Sequence, residues 1–280
     1  MYKKSLSYVH LIWMALFVLA PILMVLVYSL TTKDANGNSV LTFAHYAKFV
    51  NPAYIGILWK SVWIAALASA VCLLLGFPAA MILCNRDRRR AQLGKKGSVL
   101  LLFVMPMWMN MLLRTYSWLT ILEKNGLLNN LLEALHLPPV QLLYTTGAVV
   151  LGMVYNFIPF MILPIYSVLV KIDRSVIEAA EDLGANSFCV YTRIIIPLSL
   201  PGVISGITMV FLPAITTFII SQLLGGGQYM LFGNLIEQQF LKADNWNFGS
   251  ALSIVMMILI FLAMRIMNLF NKNGQQVAMF

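Results

Sequence analysis

Charge is scarce in this sequence. Only 10% of its 280 residues are Asp, Glu, Lys or Arg, whereas 60% are hydrophobic; an average soluble domain is about a quarter charged. That shortage weighs against a water-soluble fold, because an interior of this size cannot hide so much apolar side chain. A bilayer removes the difficulty by acting as an apolar solvent. Cysteine is nearly absent, and Cys72, Cys84 and Cys189 form neither an even disulfide framework nor a metal-ligand spacing. Cys72 and Cys84 lie in an apolar run and read as small hydrophobes. His10, His45 and His136 are equally scattered, so no metal site is expected. A G-x-x-x-x-G-K-[ST] phosphate loop is also missing: Gly94-Lys95-Lys96-Gly97 has neither the spacing nor the hydroxyl. The chain is therefore expected to have no catalytic residues and no cofactor of its own.

What the sequence has is long apolar runs. A bilayer core needs about 20 helical residues, and six stretches qualify: 11–30, 61–85, 97–122, 147–170, 202–224 and 250–271. The first exceeds the apolar core of a signal peptide, roughly 7–15 residues, and reads as a retained span. The third contains Pro106, Trp108 and Arg114, which suggests a kinked helix with Arg114 near one interface. The fifth ends before Gly225-Gly226-Gly227, and the stretch to Ile236 reads equally as a loop or a re-entrant segment. The expected fold is an all-α, polytopic bundle of six transmembrane helices in a single domain, residues 1–280.

The net charge of +9 does not point to nucleic acid, because the basic residues form short clusters between apolar runs, as membrane topology requires. With six spans, thirteen Lys and Arg share the side of the two termini: Lys3, Lys4, Arg86, Arg88, Arg89, Arg90, Lys95, Lys96, Lys171, Arg174, Arg193, Arg265 and Lys272. Six lie opposite: Lys33, Lys48, Lys60, Arg114, Lys124 and Lys242. The acids divide evenly. Both termini are expected in the cytoplasm of a cell-membrane protein.

One connection is too long. Helix–helix links in bundles usually take about 2–8 residues, yet Lys171 to Leu200 lies between the fourth and fifth spans, on the expected cytoplasmic side. Ser175 and Glu178 fit a capping box. Val176, Ile177, Ala180 and Leu183 recur at helical spacing, with Glu178, Glu181 and Asp182 on the opposite face. Gly184 falls where a helix end wants a left-handed residue. Asn186 or Ser187 can start a second short helix, which should stop near Pro197. Such an amphipathic helix either covers the bundle floor or meets a partner. Interfacial helices that meet anionic lipid tend to be basic, so the acidic face suits a protein.

Glu178-Ala179-Ala180, three residues, Gly184, nine residues, then Ile194-Ile195-Ile196-Pro197 resembles the EAA signature of ABC-importer permeases. The only departure is Ile196, where Leu is usual. The resemblance implies that this segment, 171–200, is a coupling helix docking on a separate ATPase subunit. Glu178, Ala179, Ala180, Leu183 and Gly184 would make the contact, and Ile194, Ile196 and Pro197 would fix the return into the fifth span. LLRTYSWLTIL (112–122), YNFIPFMILPIYSVL (155–169), LGGGQYMLFGNLI (224–236) and NWNFGSALSI (245–254) are similar to the spermidine/putrescine branch, and to the first of its two permease subunits. Loop similarities extend to permeases for iron, sulfate and phosphonates. The implied partners are a second homologous permease, two ATPase subunits that hold ATP and Mg, an extracytoplasmic substrate-binding protein and the lipid bilayer; no nucleic acid is implied.

Rival classes fare worse. An ion-coupled carrier often places ionisable relays within the membrane, and no Asp, Glu or His lies deep in the six spans. A channel leaves the acidic cytoplasmic helix unexplained. The same absence limits how a polycation could be recognised, leaving aromatic faces, amides and peripheral acids. The candidates are Trp108, Tyr116, Trp118, Tyr155, Asn156, Phe218, Gln222 and Glu237, with Glu123 nearby. Each also has a bland reading: interfacial anchor for the aromatics, helix-to-helix bonding for Asn156, a solvated carboxylate for Glu237.

Overall fold

Twelve helices and one small hairpin make up the described part of the molecule. The computed structural model describes residues 12–33, 39–92 and 100–277. Leu11, residues 97–99 of the third expected span and both chain termini lie outside them. Helix α1 runs Ile12–Leu30, with a π-helical stretch Ala15–Leu19. Strands β1 (Thr31–Lys33) and β2 (Ser39–Leu41) pair antiparallel, Thr31 opposite Leu41, a small departure from the all-α expectation. Then come α2 (Ala44–Phe49), α3 (Pro52–Gln92), α4 (Leu100–Val104), α5 (Met111–Leu122), α6 (Leu127–Ala134) and α7 (Thr146–Leu169). Next are α8 (Arg174–Asp182), α9 (Ser187–Thr216), α10 (Ile219–Leu224), α11 (Phe232–Leu241) and α12 (Trp246–Val277). Five of these, α1, α3, α7, α9 and α12, are long and apolar enough to cross a bilayer.

The core is the mutual packing of α3, α7 and α9. On α3, Ala65, Ala68, Ser69 and Cys72 recur at the i, i+3, i+4, i+7 spacing of one helix face, and all are buried. Their small side chains let α7 come close, as membrane helices require when packing replaces the hydrophobic drive. Cys72 Sγ lies 3.9 Å from the Val154 carbonyl oxygen of α7. Met161, Ile162 and Ile165 of α7 and Val210 and Ala214 of α9 fill the same core. Helix α12 joins through α9, and α1 packs on α12. Most of α1 is exposed apolar surface, suited to acyl chains.

Helix α3 is longer than the apolar run that marked it: it holds 41 residues, enclosing Lys60 and the Arg86–Arg90 cluster. The third expected span is broken rather than kinked. A 3₁₀ turn, Met105–Trp108, follows α4, Met109 turns extended, and Asn110 caps α5 by accepting the Leu112 N–H at 2.8 Å. Arg114, expected near an interface, is buried at 8% exposure.

The expected stop near Pro197 does not occur. Tyr191–Ile195 form a π turn in which the Ile196 N–H donates to the Tyr191 carbonyl. Pro197 then sits in the first turn of the resumed α-helix, where a proline lacks no needed donor. Helix α9 therefore starts at Ser187, and the expected fifth span, 202–224, ends early. Thr217 is extended, and α10 is a separate piece. Between Gly225 and Leu231 the chain turns back into α11, which approaches α9 closely. A Cβ on Gly233 would lie 2.5 Å from the Thr216 carbonyl oxygen.

Helix α8 starts two residues earlier than its expected capping box. Asp173 is the N-cap, its carboxylate accepting the Ser175 N–H at 3.1 Å. Glu178 instead pairs with Arg174 at 2.8 Å. The far end forms a Schellman motif: the Gly184 N–H donates to the Glu181 carbonyl and the Ala185 N–H to that of Ala180. Gly184 takes φ +84°, a conformation that disfavours any side chain.

Two predictions come from this architecture. Gly233→Leu should destabilise the fold by about 1–3 kcal/mol or more through overpacking, read as a lower thermal midpoint in detergent. The Ser175 N–H bond holds the Asp173 carboxyl below the ordinary carboxylate range. Its cap is therefore fully formed above that range and is lost only as pH falls through the depressed value. Amide exchange at Ser175, corrected for intrinsic rate, should lose protection at that low pH, and Asp173→Ala should lose it at every pH.

Candidate functional site

Residues 171–200 gather the first set of candidates at one end of the bundle. Helix α8 has no buried residue. Ile177 and Ala180 turn half-buried toward the bundle, while Val176, Ala179, Leu183 and the following Phe188 stay exposed. The apolar stripe expected of α8 is thus split: one part packs and the other points away, Leu183 at 89% exposure. Glu178, Glu181 and Asp182 are exposed beside it. Gly184 ends the helix with open space where a Cβ would go. Ile194 and Ile195 lie in the π turn, Ile196 and Pro197 directly after it, and all four are half-buried. Tyr191 meets Phe77 of α3 edge-on, with centroids 6.1 Å apart.

Sequence reasoning missed the residues that hold this segment in place. Arg88, on α3, sends Nη2 to the carbonyl oxygens of Leu169 at 2.8 Å and Ile172 at 2.7 Å. These carbonyls belong to the last turn of α7 and its continuation, which a helix leaves without intrahelical donors; a cation there also meets the negative end of the helix dipole. Next to it the Tyr166 hydroxyl donates to Asp87 Oδ2 at 2.7 Å. Ile177 lines a small hollow together with Met81, Cys84, Asn85, Arg88, Leu169, Ile172 and Ile195. The basic run 86–90 carried a topology signal that masked this separate role for Arg88.

The second set lies around the break between α9 and α10. Asn234 of α11 ties it together. Its Nδ2 donates to the Phe218 carbonyl at 2.9 Å, and its Oδ1 accepts from the Leu231 N–H and the Ser221 hydroxyl. The first turn of α11 is also anchored, since the Phe232 N–H donates to Ser61 Oγ of α3 at 2.7 Å. Neither Asn234 nor Ser61 was marked by a sequence signal. Two clefts flank the break. One, of about 480 Å³, is lined by Thr216, Phe218, Ile236, Phe240 and Met256, with Glu237 the only ionisable residue in its wall. The other, of about 240 Å³, is lined by Gln222, Tyr229, Asn234, Gln238 and Lys242, and again by Glu237.

The structure therefore brings Phe218, Gln222 and Glu237 together. It also joins Trp118 to Tyr155, ring edge to face at 5.3 Å, across the α5–α7 contact. Trp108 and Tyr116 stand exposed and line neither cleft. Asn156 is fully buried on α7, Nδ2 donating to the Gly152 carbonyl at 2.9 Å. Its Oδ1 is buried without a hydrogen-bond partner among the described residues. A carboxylate between aromatic rings and amide oxygens is a setting that attracts ammonium groups. Among the described residues no group of three or more His, Cys, Asp or Glu is placed to hold a metal ion.

Comparison with known proteins gives this arrangement its context. Residues 73–273 match the family described as binding-protein-dependent transport system inner membrane component. The chain is 40% identical over 268 residues to the spermidine/putrescine transport system permease protein PotB of Haemophilus influenzae, which covers 93% of this chain and 92% of that one. PotB of Escherichia coli (strain K12) is 39% identical over 270 residues, 93% of this chain and 96% of its own. Among solved structures, a chain of a bacterial alginate ABC transporter superimposes with a TM-score of 0.73 at 17% identity, over 99% of this chain and 95% of that one. A chain of the MetNI methionine ABC transporter gives 0.54 at 14% identity, over 79% and 95%. At those identities the likeness carries the fold alone. With five helices able to cross a bilayer and relatives matched along nearly its whole length, this chain is a multi-pass membrane protein homologous to PotB permeases and belongs to the family of binding-protein-dependent transport system inner membrane components.

Proposed function

We propose that this chain is the first of two permease subunits of an ATP-driven importer that takes up spermidine and putrescine. The observation that carries the reading is the 40% identity to a spermidine/putrescine permease across 93% of the chain. In this reading the broken α4–α5 segment supplies the third of six spans, and both termini face the cytoplasm. The Arg88 end is then cytoplasmic and the α10–α11 end extracytoplasmic. The partners are a second homologous permease, two ATPase subunits and an extracytoplasmic binding protein. ATP and Mg belong to the ATPases, and nothing in this chain makes or breaks a covalent bond.

Helix α8 serves as the coupling helix. Its outward Ala179 and Leu183, with Glu178 beside them, form the surface that enters the ATPase groove. Gly184 aims the helix, and the Ile194–Pro197 turn returns the chain into α9. ATPase closure then moves α8 and rocks the spans between outward- and inward-facing states. Substrate released by the binding protein meets Glu237, Phe218 and Gln222 first. The aromatic pair Trp118–Tyr155 joins α5 to α7 and offers a further cation-attracting face. A shallow path of this kind needs little affinity, because capture is the binding protein's task.

Labelled spermidine uptake should be lost when this chain is deleted and return when it is restored; uptake that ignores the chain would overturn the polyamine assignment. Gly184→Pro cannot adopt φ +84°, since proline is fixed near −65°. Both Gly184→Pro and Glu178→Lys should abolish uptake while membrane insertion stays normal on fractionation. Glu237→Gln removes one charge-assisted contact and should raise the substrate concentration for half-maximal uptake on the order of tenfold, the equivalent of about 1.4 kcal/mol.

A further inference from the structure

Helix α3 is bonded at both ends to the two sites just described. Near one end, Arg88 Nη2 holds the Leu169 and Ile172 carbonyls at 2.8 and 2.7 Å. Asp87 takes the Tyr166 hydroxyl, and Ile177 of α8 lines a small hollow together with Arg88. Near the other end, Ser61 Oγ accepts the Phe232 N–H that opens α11. The Lys60 ammonium stands 4.4 Å over the Tyr229 ring, and Phe49, just before α3, meets Phe232 edge-on at 6.0 Å. Between Ser61 and Arg88 the helix is unbroken, even through Pro78, a length of about 40 Å at 1.5 Å per residue.

We infer that α3 is the rod linking α8 to the cleft around Glu237, and that Arg88 is the positioning residue that fastens α8 to it. This inference rests on reading α8 as the coupling helix. Residues 170–173 form a short turn between α7 and α8, and Arg88 bonds the Leu169 carbonyl just before it and the Ile172 carbonyl within it. A push on α8 therefore reaches α3 through a pair of charge-assisted bonds, rather than through packing of Ile177 alone. Along α3 the displacement arrives at Ser61, where it carries the first turn of α11 and with it Glu237 and Gln238. Both bonds leave one nitrogen, Nη2, so a lysine keeps the charge and enough donors for two carbonyls but not the length of the arginine stem.

The test uses the complete transporter in membranes, with Gln238→Cys as an outer reporter labelled by an impermeant maleimide. The parental complex should show a labelling rate that changes between the resting and vanadate-trapped nucleotide states. In Arg88→Met, ATP should still be hydrolysed and the ATPases should still co-purify. The nucleotide-dependent change at Gln238→Cys should vanish, and substrate moved per ATP should fall at least about tenfold. Arg88→Lys should recover part of both. The inference is overturned by a full nucleotide-dependent change in Arg88→Met, by a parental reporter that ignores nucleotide, or by loss of assembly in both variants, which would make Arg88 a folding residue. The labelling readout does not depend on which solute is carried. Failure of the polyamine assignment would appear in spermidine uptake alone.

Discussion

A carbonyl or amide released by a helix break inside a bilayer has no water to bond, and the stray cost is several kcal/mol per group. Four of the interruptions among the described residues are closed by a specific side chain for that reason. Asn110 caps α5 after the break that follows α4. Asn234 closes the α9–α10 break at Phe218, Ser61 takes the first N–H of α11, and Arg88 closes the end of α7. These polar residues sit on otherwise apolar helices and fix where the irregular backbone goes. The continuous helices α3, α7 and α9 supply the rigid frame through small side chains facing one another. The frame and the closures together decide which loops can approach each other.

The proposed functional regions lie where the frame is interrupted. At one end, α8 is held through its base and leaves most of its surface free. At the other, α10 and α11 fold back against α9 and leave clefts whose walls share a single carboxylate, Glu237. A membrane carrier of cations benefits from so sparse a design. One acid between aromatic faces attracts an ammonium group, whereas several would hold it too tightly to release.

Much of this was legible in the sequence, and the limits have physical causes. Uncharged runs of about 20 residues locate membrane helices because lipid imposes that length. Gly184 was legible because a left-handed helix end is nearly reserved for glycine. The overlong link from 171 to 200 was legible from its length alone. Helix ends were not. Long basic side chains can snorkel, so Lys60 and the Arg86–Arg90 cluster gave no sign that α3 continues through them. A capping box at Ser175 and Glu178 was one plausible local solution, and Asp173, two residues earlier, supplied another. Proline misled at position 197, because a preceding π turn removes the clash that ordinarily stops a helix. The roles of Arg88, Ser61 and Asn234 depend on partners 84, 171 and 16 positions away, and no local pattern encodes those.

The π turn at Tyr191–Ile195 bears on how the return motif is counted. A π turn holds one residue more than the α turn it replaces, which rotates everything beyond it by about 100° around the helix axis. The nine residues between Gly184 and Ile194 therefore include no spare position that can be trimmed. Deleting one residue there would restore a regular α-helix, bring the Pro197 ring onto a carbonyl one turn back, and swing the packing face of α9 away from α7. The spacing from Gly184 to Pro197 is thus a phase setting: it keeps two faces of one continuous helix, one turned to the α8 region and one to the core, in register with different neighbours.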